Sequence, residues 1–191
     1  MKHKALIVSI KGIRLSKKEE VLFAKEKPWG VILFKRNLKS VKQIKSLIFR
    51  IKYLTKNIRF PIIVDEEGEN VSRLKDIINH KVSANFFGNL LEKDETLCLK
   101  IYKHYITSIS KTLKNLGINI NTIPVLDVLR KNTNKIIGNR SFSKKKSIVK
   151  KLGEATVKYL HSNKVACIIK HIPGHGAAAT DSHKVTPKVF L

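Results

Sequence analysis

Short apolar runs alternate with longer amphipathic segments along the chain, and this alternation limits the fold more than any other feature. Residues 5–10, 31–34 and 62–64 are rich in Val, Ile and Leu and nearly free of polar residues. Such continuous runs are typical of strands that are buried on both faces. Because segments with helical spacing separate them, the pattern predicts parallel strands joined by covering helices.

Helix signals lie between the predicted strands. Ser16 precedes a short helix and has Glu19 at capping-box spacing. Ser40 precedes a second helix, whose apolar positions follow helical spacing: Val41, Ile44, Leu47, Ile48 and Ile51. A longer helix begins at about Asp94 and ends before Gly117, which suits the position after a helix. Its apolar stripe contains Leu97, Ile101, Tyr105, Ile109, Leu113 and Leu116.

The second half of the chain continues the same alternation. Residues 70–89 have mixed character and predict an irregular loop or a short helix. Residues 123–128 predict a fourth strand that ends in a carboxylate, and 131–143 predict a long polar loop. A helix over about 143–160 then leads to a fifth strand at 165–170. The chain therefore predicts about five strand–helix units.

The charge balance is strongly basic. Lys and Arg number 39 against 14 Asp and Glu, which gives a formal net charge of +25. Such a field attracts nucleic acids, membranes or anionic substrates. The lysines recur through nearly every segment, however, and the sparse aromatic residues do not interleave with them as a base-stacking surface requires. We therefore expect a solvated basic surface, with nucleic-acid binding as a disfavoured alternative.

Cysteine usage and hydropathy predict a cytoplasmic location. Cys98 and Cys167 lie in apolar settings, which favours free thiols in a reducing compartment over a disulfide. The apolar run at 5–10 is too short for a signal peptide and no small-residue cleavage site follows it. No stretch approaches the roughly 20 apolar residues of a membrane helix, so we expect no membrane partner.

A dense polar patch follows the fifth predicted strand. It reads Lys170-His171-Ile172-Pro173-Gly174-His175-Gly176, and Asp181-Ser182-His183 follows after four intervening residues. Polar residues at the carboxyl ends of parallel strands occupy the catalytic rim of barrels. Asp181 and His183 leave the same face of an extended loop, where a carboxylate fixes the imidazole tautomer. The spacing lacks a helical His pair or a Cys partner, so we expect no metal, and we interpret His175 as a loop-holding residue.

This patch resembles the signature of glycoside hydrolase family 3, in its bacterial β-N-acetylglucosaminidase branch. There the histidine of Asp-Ser-His is the general acid/base and the aspartate is its partner. The resemblance therefore implies that His183 and Asp181 are catalytic. It also implies that Lys170 and His171 contact substrate. Ala177 and Ala178 depart from the family, which often has Asp and Thr there.

A second patch follows the third predicted strand. Asp65-Glu66-Glu67-Gly68-Glu69-Asn70-Val71-Ser72-Arg73 resembles the Asp-Gln-Glu-Gly-Gly-Arg-Val-x-Arg of the family. The resemblance implies that Asp65 and Arg73 bind the sugar. Glu69 replaces a glycine and Asn70 an arginine, and the new Cβ and negative charge are expected to disturb the loop.

A third patch combines residues 124–128 with 138–143. It resembles Pro-Val-Leu-Asp-Val and Gly-x-Arg-Ser-Phe of the family. The resemblance implies that Arg140 binds substrate, and a guanidinium fork suits sugar oxygens or a carboxylate. We interpret Asp127 as a carboxylate that orients a loop.

The resemblance extends from about residue 28 to 187 and implies an α/β fold, an incomplete (β/α)8 TIM barrel with parallel strands 1 to about 5 and surrounding helices. A closed barrel usually needs about 250 residues. We therefore expect one domain over 1–191, a truncated catalytic domain of the N-terminal type found in this family.

The implied function is a retaining β-N-acetylglucosaminidase that acts on muropeptides in peptidoglycan recycling without a cofactor. Retaining glycosidases need a carboxylate nucleophile besides the acid/base. In this family that aspartate follows a later strand, and no residue here matches it. We therefore expect impaired activity. A non-catalytic remnant, or one half of a split enzyme that needs a complementing C-terminal chain, is the main alternative.

Overall fold

The computed structural model describes residues 3–188, which contain a five-stranded parallel sheet. Its strands are β1 Lys4–Val8, β2 Pro28–Leu33, β3 Ile62–Val64, β4 Ile120–Asn121 and β5 Ala166–Cys167. They lie side by side in chain order, and every neighbouring pair is parallel. A doubly wound sheet would reverse its strand order at one point. The unbroken order is instead that of a barrel wall, as predicted.

Helices connect the strands. They are α1 Lys17–Val21, α2 Val41–Thr55, α3 Ala84–Lys93, α4 Glu95–Leu116 and α5 Lys146–Ser162. A π-helical turn, Leu22–Glu26, extends α1. Within the described range, 3-10 turns lie at Lys35–Asn37, Gly138–Arg140 and His175–Ala177. The last two of these turns are in the loops that carry the predicted site residues.

The predicted helix ends are largely those observed. Ser16 and Glu19 form a complete capping box at α1, and the Ser40 hydroxyl accepts from Gln43 N at 3.3 Å. Gly117 ends α4 with a φ of +89°, a backbone region that favours glycine. The exception is α5, which begins at Lys146 without a side-chain cap rather than at residue 143.

The core confirms the helical stripes only in part. Ile44, Leu47, Ile48 and Ile51 of α2 are buried, whereas Val41 is exposed. In the first half of α4 the predicted stripe was wrong, since Leu97 and Ile101 are 44% and 40% exposed. The buried positions there are Cys98, Tyr102 and Ile106. The reason is tertiary packing, because α3 and α5 both pack on α4 and the Phe87 and Tyr102 rings lie 4.5 Å apart.

The predicted strand at 123–128 was also wrong. The fourth strand is Ile120–Asn121, and the chain after it is irregular. One isolated parallel bridge joins Val125 to Lys170, with Leu126 N donating to Lys170 O at 2.7 Å. Proline has no N–H to give to a ladder, so Pro124 interrupts regular pairing. The fifth strand is likewise shorter than predicted.

Apolar residues are exposed at both edges of the sheet. Leu6 and Ile7 of β1 are about half exposed, and beyond β5 Ile169 and Ile172 are exposed. In the part of the chain that the structure describes, no helix is long and apolar enough to cross a membrane. Cys98 and Cys167 are both free thiols, as predicted.

Candidate active site

The carboxyl ends of β3, β4 and β5 bring three polar side chains together. Asp65 follows β3, Thr122 follows β4, and Lys170 lies just beyond β5. The Thr122 hydroxyl donates to Asp65 Oδ1 at 2.5 Å, and Lys170 Nζ donates to Thr122 Oγ1 at 2.8 Å. Lys170 Nζ also lies 3.4 Å from Asp65 Oδ1. Thr122 was missed from the sequence, although its place after an apolar strand was a usable signal.

Glu67 forms a second centre beside the first. Arg140 binds its carboxylate in a bidentate manner and donates two hydrogen bonds, Nε to Oε2 at 2.7 Å and Nη2 to Oε1 at 3.0 Å. Lys170 Nζ lies 2.5 Å from Glu67 Oε1. The Glu67 and Arg140 side chains are only 6% and 13% exposed, so water screens this paired geometry little. Glu67 was another residue that the sequence reasoning left unassigned, although it lies inside the second patch.

The electrostatics of Asp65 favour its charged form. Burial alone raises the pKa of this carboxyl, but the Lys170 charge and hydrogen bonds from Thr122 and Arg73 outweigh burial and hold the pKa below its ordinary value. Arg73 Nη2 lies 3.2 Å from Asp65 Oδ2. Asp65 therefore remains an anionic hydrogen-bond acceptor at neutral pH.

Asp127 anchors the loop after β5. Its side chain is fully buried, Oδ2 lies 2.6 Å from His171 Nδ1, and Gly176 N donates to Oδ1 at 2.9 Å. Burial alone would raise the pKa of Asp127, but the hydrogen bonds from His171 and from the loop backbone lower it. A Cβ on Gly176 would lie 2.2 Å from Val128 O, so glycine permits this close approach.

The predicted acid/base pair lies farther along the same loop. His183 Nδ1 is 2.8 Å from Asp181 Oδ1, which also accepts the His183 backbone N–H at 2.9 Å. These two hydrogen bonds lower the pKa of Asp181. An Nδ1–H bonded to a carboxylate leaves Nε2 as the nitrogen that exchanges a proton. The ring of His183 is 77% exposed and accessible to a substrate.

His175 joins the two parts of this loop. Its Nε2 lies 2.8 Å from Ser182 Oγ, and its ring centroid is 5.7 Å from that of His171. These contacts fit the loop-holding role that we interpreted from the sequence.

Most of the predicted site residues line one open cleft of about 680 Å³. Six of the seven line it: Asp65, Arg73, Arg140, Lys170, His171 and His183. The seventh, Asp181, reaches the cleft through His183. Within residues 3–188 no cluster of three or more His, Cys, Asp or Glu side chains is arranged to hold a metal ion.

Backbone hydrogen bonds close the loop that contains the unusual Glu69. Glu67 N donates to Val71 O at 2.8 Å, and Glu69 N donates to Val82 O at 3.2 Å. Gly68 carries the strained backbone, with a φ of +145° and room only for hydrogen, because a Cβ would lie 2.6 Å from Val82 O. Glu69 itself is exposed and, among the described residues, is not one of the non-glycine positions with positive φ. The expected disturbance is therefore absent from the backbone of Glu69.

Comparison with known families decides the relationship. The family model described as the glycosyl hydrolase family 3 N terminal domain matches residues 2–190. The chain belongs to glycosyl hydrolase family 3. The family assignment and the incomplete barrel predicted from the sequence are thereby confirmed.

Relatives within glycosyl hydrolase family 3 resemble nearly the whole chain. NagZ from Neisseria gonorrhoeae, solved in native form and in complex with N-trifluoroacetyl-D-glucosamine, is 30% identical with a TM-score of 0.89; the match covers 97% of this chain and 54% of that one. A beta-hexosaminidase of Neisseria meningitidis is 33% identical over 184 residues, 96% of this chain and 50% of the relative. Beta-hexosaminidase A of Pseudoalteromonas piscicida is 34% identical over 170 residues, 84% of this chain and 27% of the relative. The chain thus spans about half, or less, of the length of these relatives.

Proposed function

We propose that this chain provides the amino-sugar-binding part of the active site of a retaining β-N-acetylglucosaminidase. The observation that carries the proposal is the convergence of Asp65, Arg140 and Lys170 on one cleft that the His183 loop borders. The complex of the gonococcal NagZ with an N-acylated glucosamine supports the same class of ligand.

The polar groups of the cleft suit a sugar. Asp65 is an ionised acceptor for sugar hydroxyls, and Lys170 and Arg140 are cationic donors. Arg73 Nε and His175 Nδ1 are buried and have no hydrogen-bond partner within residues 3–188. Buried polar atoms are normally satisfied, so these two atoms are further candidates for ligand contact.

His183 would transfer the protons of the reaction. In its protonated form it gives a proton to the leaving glycosidic oxygen, and afterwards it takes one from the attacking water. Asp181 orients the imidazole through Nδ1 and stabilises its charged form. These steps involve only protein groups and water, so we propose no cofactor.

The carboxylates near the cleft are engaged, and we assign none of them as nucleophile. Asp65 pairs with Lys170 and Arg73, Glu67 with Arg140 and Lys170, and Asp127 is buried beneath His171. We therefore propose that the nucleophile lies on polypeptide outside these 191 residues. It belongs either to a longer form of the protein or to a complementing chain.

The exposed sheet edges fit either possibility, because further polypeptide of either origin would cover them. An apolar groove of about 620 Å³ runs beside α5 and is lined by Pro124, Leu126, Val149, Val157 and Ile169 together with charged residues. Exposed apolar surface beside an open sheet edge favours association with another polypeptide. A chain that supplies the rest of a barrel would cover this groove.

The biological setting we propose is peptidoglycan recycling in the cytoplasm. Muropeptides carry carboxylates, and a net charge of +25 would accelerate their encounter with the protein. The two free thiols fit a reducing compartment. Nucleic-acid binding is the rival class, and a salt titration with duplex DNA distinguishes it, because phosphate contacts weaken steeply with salt.

An assay of the purified chain on an aryl N-acetylglucosaminide tests the proposal. We expect measurable N-acetylglucosamine binding but little or no turnover, because the covalent step lacks its carboxylate. The matched variants are His183→Ala and Lys184→Ala, the latter at an exposed neighbouring position. The contradicting result is turnover that His183→Ala abolishes and Lys184→Ala preserves. It would show that these 191 residues suffice for catalysis and would overturn the proposal that the nucleophile lies outside them.

A further inference from the structure

A buried charged network lies beneath the loop that carries Asp65 and Arg73. Glu66 is completely buried, although it lies between two residues of the cleft. Its Oε2 accepts the backbone N–H of Arg73 at 3.0 Å and that of Leu74 at 2.9 Å. Its own backbone is fixed from β4, since Asn121 accepts from Glu66 N at 3.0 Å and donates to Glu66 O at 2.9 Å.

His80 completes the network from the far end of the loop. His80 Nε2 lies 2.5 Å from Glu66 Oε1, and the His80 side chain is only 7% exposed. His80 Nδ1 lies 2.7 Å from the hydroxyl of Tyr105 on α4. Burial and the nearby Glu66 charge raise the pKa of Tyr105, so its hydroxyl stays protonated. The loop is therefore tied to both the sheet and α4 through one residue, Glu66.

We propose that Glu66 and His80 form a positioning pair that holds the Arg73 loop in its sugar-binding shape. A buried carboxylate without partners is costly, so Glu66 needs the donors that face it. Those donors are the two amides at 73 and 74 and the His80 imidazole. Arg73 Nη2 donates to Asp65 Oδ2 at 3.2 Å, so the same backbone contacts also position this guanidinium. This inference rests on the proposed sugar binding by Asp65 and Arg73.

If Glu66 and His80 act as a pair, the effect of replacing His80 should depend on which residue occupies position 66. His80→Ala leaves the Glu66 carboxylate buried with one donor missing, which raises the cost of the closed loop. A glutamine at 66 still offers an oxygen to the amides of Arg73 and Leu74, and it carries no charge that needs His80. His80→Ala should therefore matter much less in the Glu66→Gln background than in the wild-type protein.

A double-mutant cycle in the full chain tests the pair with two measurements. The first is amide hydrogen exchange at Arg73 and Leu74, and the second is N-acetylglucosamine affinity. We expect Glu66→Ala and His80→Ala to speed exchange and to weaken affinity by about tenfold each, whereas Glu66→Gln retains both within about twofold. In the Glu66→Gln background, His80→Ala should change either measurement by no more than about threefold. Protection of the Leu113 amide in α4 reports whether each variant is folded.

Two results would overturn the inference. One is unchanged exchange at Arg73 and Leu74 in the folded His80→Ala protein. The other is an equal effect of His80→Ala in both backgrounds, which would make the two residues independent. If Glu66→Ala does not fold, the Glu66→Gln cycle alone decides. If the wild-type chain binds no sugar, the proposed function fails, while hydrogen exchange still decides whether the pair holds the loop.

Discussion

Lys170 Nζ lies 2.5 Å from Glu67 Oε1 and so joins the chain beyond β5 to the loop after β3. The same ammonium lies 3.4 Å from Asp65 Oδ1, and it therefore separates two carboxylates that would otherwise repel each other. Arg73 and Arg140 each pair with one of these carboxylates, whereas Lys170 contacts both. The contact joins residues that are distant in the sequence, since Lys170 and Asp65 are 105 positions apart.

Replacing this cation should damage both stability and binding. We expect Lys170→Met to lower the free energy of unfolding by about 3 kcal/mol, because it leaves two mostly buried carboxylates short of a counter-charge. N-acetylglucosamine affinity should fall at least about tenfold. Urea denaturation and a sugar titration measure the two effects.

Lys135→Met is the control for the loss of Lys170. Lys135 lines the same cleft but is exposed, so its replacement should change stability by no more than about 0.5 kcal/mol. Equal destabilisation by the two substitutions would mean that net charge, rather than the contacts of Lys170, determines the result.

Acidification should destabilise the fold through Asp127 and Asp65. Their pKa values are lowered in the folded protein, so below about pH 4 the unfolded chain binds protons that the folded chain does not. The free energy of unfolding should therefore be highest above that pH and fall as the pH drops through the folded pKa values. Urea titrations between neutral pH and about pH 3 measure the slope.

Asp127→Asn should flatten this dependence, whereas Asp76→Asn at an exposed position should leave it unchanged. A slope that is the same in wild type and Asp127→Asn would contradict the role given to the buried carboxylate.

Gly176 should not tolerate a side chain. Its Cβ would meet Val128 O at 2.2 Å, so Gly176→Ala must move the loop that carries His171 and His175. We expect a loss of about 1–3 kcal/mol in the free energy of unfolding, as for other overpacked positions. Gly12→Ala provides the comparison, because nothing lies within 4 Å of its Cβ. Similar unfolding midpoints for the two variants would show that the loop adapts without cost.

Much of this architecture follows from local patterns. Continuous apolar runs predicted the first three strands, and Ser16, Ser40 and Gly117 marked helix ends that the structure shares. Those signals act within a few residues, so each can be recognised in one short segment of the sequence. The sequence did not predict which face of the first half of α4 is buried, because α3 and α5 pack against that helix and select the face.

In the candidate site, too, residues within recognisable motifs were predicted, whereas residues that depend on distant partners were missed. Motif resemblance singled out Asp65, Arg140 and Lys170, and the structure brings them to one cleft. Glu67 and Thr122 escaped notice because their importance lies in partners from distant parts of the chain, Arg140 and Lys170. No local pattern encodes a hydrogen bond across such distances.

An NMR titration of the isotopically labelled chain with N-acetylglucosamine tests the central claim most directly. We predict saturable chemical-shift changes at Asp65, Arg140 and Lys170 and in the loop that carries Asp181 and His183, and we predict their loss in Lys170→Met. Saturable changes confined to another surface, or no binding at concentrations where a labelled full-length relative binds the same sugar, would contradict the proposal that this cleft is an amino-sugar site.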